Sequence, residues 1–134
     1  MADAVTATTV QDGDRNAVFY CTNTSDGTGE AAVTKVDVSA LASRADGTAC
    51  TGVRIKKIVF SNVGMGVKIL WDASTDVIAA QLPADYSDTL DYSEISGLPN
   101  VAASGGNTGD IQFTTVGHSS GDTYSIVLYC IKEY

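Results

Sequence analysis

VRIKKIVFSNVGMGVKILWD, residues 53–72, decides the fold class of this chain. Val53 and Ile55 alternate with Arg54 and Lys56, the period-two pattern of a half-buried strand. The phase then slips, because Ile58 and Phe60 rejoin the apolar face only if one extra residue is absorbed near Lys56-Lys57. A β-bulge absorbs one residue and sharpens the local twist. The second arm alternates cleanly, with Val67, Ile69 and Trp71 on one face and Lys68, Leu70 and Asp72 on the other. Gly64 and Gly66 flank Met65 between the arms, where a backbone without Cβ takes positive φ at no steric cost. The expectation is a central β-hairpin. Gly-Met-Gly does not read as a phosphate cradle, since the strand-to-helix context and the lysine of a P-loop are missing.

The same grammar of short apolar runs between Gly, Asp, Asn, Ser and Thr continues in both directions. MADAVTATTV, residues 1–10, is small and Thr-rich, and is expected to be an extended N-terminal arm, free or docked on a neighbouring subunit. Asp12-Gly13-Asp14 turns into AVFYCT, where Ala17, Phe19 and Cys21 oppose Val18 and Tyr20. NTSDGTGE, residues 23–30, is a loop with Asp26-Gly27 as its hairpin signal. In AAVTKVDVSAL, Ala32, Thr34, Val36 and Val38 alternate with Val33, Lys35 and Asp37, and a helical turn can follow from Ser39. VIAAQL before Pro83 is a further strand, and DYSDTLDY, residues 85–92, reads as an exposed edge strand guarded by its aspartates. The irregular stretch through residues 96–109 is a candidate contact surface, together with residues 1–10. IQFTTV and TYSIVLYCI form the second expected hairpin, placing Ile111, Phe113 and Thr115, then Tyr124, Ile126, Leu128 and Cys130, on single faces. Such regularly spaced strands predict an all-β, single-domain antiparallel β-sandwich, jelly-roll-like, over residues 11–134.

Composition bounds the function. At 134 residues the chain makes one domain able to bury roughly two-thirds of its unfolded surface. A net charge of −8 and a pI near 4.3 argue against a nucleic-acid binder and against anionic membrane surfaces. Cys21, Cys50 and Cys130 are odd in number and widely spaced, and no basic segment followed by an apolar run opens the chain. They are expected to be reduced and buried. Without a C-x-x-C pair, and with His118 as the single histidine, no metal site or cofactor is expected. Asp12-Gly13-Asp14 lacks the remaining ligands of a calcium loop.

Catalytic readings fare no better, so the chain is expected not to be an enzyme and to have no catalytic residues. His118 beside Ser119 and Ser120 lacks an orienting third group, and no G-x-S-x-G elbow exists. Glu30, Glu94 and Glu133 sit in no glycosidase signature. A carbohydrate-binding β-sandwich is an alternative from another class, with Tyr86 and Tyr92 as candidate platforms, although aromatics in alternating strands usually pack.

Three segments carry a resemblance: NTSDGTGEAAVTKVDVSAL (residues 23–41), RIKKIVFSNVGMGVKILWDA (54–73) and TGDIQFTTVGHSSGDTYSIVLYCIK (108–132). Together they resemble a family of small structural proteins of tailed bacteriophages, of the capsid decoration or cement type. The resemblance implies a virion component made in the bacterial host cytoplasm and bound to the outer surface of the head. Its implied partners are the major capsid protein and copies of itself, commonly as a trimer, with no direct nucleic-acid or membrane contact. A tail, baseplate or head–tail connector component is the runner-up, because nothing in these segments separates head from tail.

Overall fold

The structure, a computed structural model, describes residues 3–101 and 107–134. Among them nine strands run β1 (Ala4–Asp12), β2 (Asn16–Thr24), β3 (Val33–Val36), β4 (Gly52–Val63), β5 (Gly66–Trp71), β6 (Val77–Leu82), β7 (Tyr86–Asp91), β8 (Ile111–Val116) and β9 (Thr123–Glu133). They form a five-stranded sheet in the order β1-β2-β9-β4-β7 and a four-stranded sheet in the order β3-β8-β5-β6, antiparallel throughout. The pairs β2–β9, β3–β8, β4–β7 and β5–β6 nest one inside another, which is the winding of a jelly roll, with β1 added at one edge. The only helical turns described are 3₁₀ turns at Val38–Ala40 and Ser93–Ile95.

The core lies between the sheets. Ile55, Ile58, Phe60, Tyr124, Ile126 and Leu128 face it from the larger sheet, and Val67, Ile69, Trp71, Ile111 and Phe113 from the smaller. The slip at Lys56 is the expected bulge: opposite β9 the register shifts between Ile55 and Lys57, which returns Ile58 and Phe60 to the core side.

Three expected hairpin connections are crossovers instead. β4 pairs with β7 and β9, whereas β5 pairs with β6 and β8, so residues 53–72 pass from one sheet to the other. β8 and β9 likewise belong to opposite sheets, as do β2 and β3 on either side of Asp26-Gly27. The chain makes true hairpins at β1–β2 and β5–β6. The reason is geometric. Alternation records which side of a strand is dry, and in a sandwich two successive strands can dry their sides against each other across the core as well as side by side. Glycine serves both connections: Gly64 does take φ of +84°, while Gly66 does not, and is needed because a Cβ there would stand 2.9 Å from the Leu82 carbonyl oxygen.

Lys35 also departs from expectation. β3 bulges between Thr34 and Val36, turning Lys35 inward while Ala32 and Thr34 stay exposed.

Candidate interaction surface

β1 is the longest of the sheet edges. It contacts β2 through pairs from Ala4–Thr24 to Asp12–Ala17, with an extra residue at Val10, so Ala4–Thr9 runs free of bulges. Val5, Ala7 and Thr9 lie opposite the buried Asn23, Cys21 and Phe19, and therefore on the core side of the sheet. All three are nevertheless exposed, as are Thr6 and Thr8 on the other side. Val5 is 43% and Val10 61% accessible. The five-stranded sheet thus overhangs the four-stranded one by a strand.

A buried polar cluster pins the start of this overhang. Asn23 Nδ2 donates to Asp3 Oδ2 at 3.0 Å and to Glu30 Oε1 at 3.1 Å. The Ser25 hydroxyl and the Asp26 and Gly29 amides all donate to Asp3 Oδ1. Burial on its own raises the Asp3 carboxyl, but these donors outweigh it, the Asn23 amide most, and hold its pKa at about 2. Glu30 accepts from Lys35 Nζ at 2.5 Å and from the Tyr124 hydroxyl, and both members of the ion pair are nearly sealed from water. Burial, then the Glu30 carboxylate, push the Tyr124 hydroxyl far above its ordinary range.

A second clamp holds the far end of β1. Lys132 Nζ donates to Asp12 Oδ1 at 2.6 Å and to the carbonyls of Gly13 and Ala42. Burial opposes both charges, yet the mutual hydrogen bond prevails: Asp12 is lowered and Lys132 raised. β1 is therefore anchored at one end by a buried, hydrogen-bonded carboxylate and at the other by an ion pair, and no described strand pairs with its outer edge.

The opposite edge, β7, is built otherwise. Asp88 lies opposite Phe60 and so shares its core-facing side, yet is exposed, and Asp91 follows at the strand end. Tyr86 is exposed and meets the Phe60 ring at 6.2 Å, whereas Tyr92 packs partly against the core. The two candidate platforms are thus differently exposed.

Of the two expected contact segments, residues 1 and 2 and 102–106 lie outside the described residues. The described part of the second is tied to β4: Arg54 donates to the carbonyls of Ile95, Ser96 and Gly97, and Ile55 bridges Leu98. Asn100 and Asn107 join their side-chain amides across the loop. His118 Nδ1 lies 3.0 Å from the Thr115 hydroxyl, and its ring covers Gly29, where a Cβ would fall 2.3 Å from it. Ser119 bonds Asp122 rather than His118. Glu30 is buried beside Tyr124 near the start of β9, Glu133 stands at the end of that strand about 30 Å away, and Glu94 is exposed on a 3₁₀ turn. Among the described residues no group of three or more His, Cys, Asp or Glu is placed to hold a metal, and no helix is long and apolar enough to cross a membrane. Sequence reasoning missed Asp3, Asn23, Lys35 and Lys132 as a set. The one available signal was a lysine at position 35 inside a strand pattern ending in Val36.

No protein-family model and no curated protein matches the chain. Among solved structures it is similar to a cupin domain from Bordetella pertussis Tohama I, at 13% identity over 100% of this chain and 98% of that one, with a TM-score of 0.35. So loose an overlap carries no function, and the jelly-roll assignment rests on the strand pairing above.

Proposed function

We propose that this chain is a non-enzymatic virion structural protein of a tailed bacteriophage, a decoration or cement protein bound to the outer surface of the assembled head. The observation that carries the reading is the overhanging strand β1: a small jelly roll offers a preformed edge suited to contact between copies assembled on a shell. The resemblance of residues 23–41, 54–73 and 108–132 supplies the biological setting. The major capsid protein and further copies of the chain are the partners, and many modest contacts repeated over a shell add up by avidity. Three buried free thiols suit assembly in a reducing host cytoplasm. Burial pushes the Cys21 thiol up to about 11 and Cys130 higher still, which keeps both unreactive.

Quantitative mass spectrometry of purified virions, scaled to the major capsid protein, tests this. A copy number in fixed ratio to the shell lattice is the expected result. A ratio tens of times lower would move the protein to the tail, baseplate or head–tail connector. Absence from virions, with saturable glycan binding that Tyr86→Ala abolishes, would replace the proposal by a carbohydrate-binding module.

A further inference from the structure

The four sheet edges are unequally protected against pairing with another strand. β7 carries Asp88 on its core-facing side and Asp91 at its end, and an inward-pointing charge on an edge strand is a known block to edge-to-edge pairing. β3 is only 4 residues long. β6 takes up an extra residue at Ala79 opposite Ile69–Leu70 and is followed by Pro83. β1 has none of these devices along Ala4–Thr9: no charge, no proline and no bulge. Its Val5, Thr6, Thr8, Thr9 and Val10 are β-branched residues that favour extended pairing.

We infer that β1 is a self-pairing edge: two copies join β1 to β1 antiparallel about a twofold axis, making one continuous ten-stranded sheet. Charge singles out a second copy as the occupant. Two chains of net charge −8 repel one another, so they can approach closely only where acids are absent or neutralised. Ala4–Gln11 has none; of the two acids that bound it, Asp12 is neutralised by Lys132, and Asp3 is buried, its carboxylate turned inward onto Asn23, Ser25 and two backbone amides. A twofold contact must be self-complementary, and an uncharged strand paired antiparallel with itself meets that condition at every position. Directly opposite residues share a face, so the overhanging Val5, Ala7 and Thr9 of each copy meet those of the other. Anchoring at both ends lowers the entropy lost on pairing, since the strand is extended before its partner arrives.

The inference goes beyond the decoration reading and holds wherever the assembled protein acts. It is tested on the isolated full-length chain, without virions, so its failure leaves the copy-number result untouched. Sedimentation equilibrium should show a reversible dimer. Ala7→Lys, at an exposed position, places two like charges side by side at the junction and should weaken the dimer by about tenfold or more. Thr89→Lys on β7 should leave the dimer unchanged. An unaltered thermal transition in diluted Ala7→Lys verifies folding. As a second reading, β1 amides should gain hydrogen-exchange protection with rising protein concentration while β7 amides do not. A monomer at about 100 μM, a trimer, or a dimer indifferent to Ala7→Lys would overturn the inference; for scale, a contact this weak would be worth under about 5.5 kcal/mol.

Discussion

β1 and β7 close the same five-stranded sheet from opposite sides, and they handle the same physical problem in contrary ways. Each presents a row of backbone donors and acceptors with no strand beyond it among the described residues. β7 sets Asp88 on its inward side, where a pairing strand would have to bury it. β1 carries no charge from Ala4 to Gln11, is exposed on both faces there, and is tied down at each end. One edge of a sheet is guarded and the other left ready. That difference points to a use for β1, because a fold that merely avoided aggregation would guard both edges.

Removing the anchor of β1 should have the largest effect. Glu30→Ala leaves the buried Lys35 without its ion-pair partner, and strips Tyr124 and Asn23 of their acceptor. Breaking one partner of a buried pair costs about 3–5 kcal/mol, read as a lower urea midpoint at unchanged slope. A loss under about 1 kcal/mol would mean that the cluster holds nothing.

Asp3→Asn should act more locally, costing about 1–3 kcal/mol through its charge-assisted bonds. β1 amides should exchange faster while β7 amides keep their rates, and equal acceleration of both edges would contradict the anchoring role. This carboxyl also sets a pH dependence. Its folded pKa of about 2 lies below the ordinary value of 3.8, so its contribution is full above the ordinary value and fades as pH falls toward 2. Between pH 5 and 2 the stability of wild type should therefore fall more steeply than that of Asp3→Asn.

Smaller still is Thr6→Val. Thr6 and Thr22 join hydroxyls on the outer face, and losing that cross-strand pair should cost about 0.2–1 kcal/mol in thermal or urea unfolding. The smallest change in stability, within about 0.5 kcal/mol, belongs to Asp88→Thr combined with Asp91→Ser, which keeps an oxygen for the Ser93 amide. Sedimentation velocity should then show species larger than those of wild type, because the guarded edge has been opened. No new species would mean that charge is not what guards β7.

Much of this molecule could be read from spacing alone. The strands around Val53–Asp72, Ile111–Val116 and Thr123–Glu133, the bulge at Lys56 and the edge character of Tyr86–Asp91 all follow from alternation, because a strand's side chains must sort between core and water every second residue. Tertiary structure alone decided the rest. Whether Gly64-Met65-Gly66 closes a hairpin or crosses between sheets depends on which distant strand supplies the backbone partners, and β9, β7 and β8 lie tens of residues away. Lys35 reads as a surface residue until a bulge turns it onto Glu30, and Asp3 looks like part of a loose arm until Asn23 and the 25–29 loop gather round it. Local pattern records burial against solvent; the choice of partner is set by long-range packing and by the need of each buried polar group for a mate.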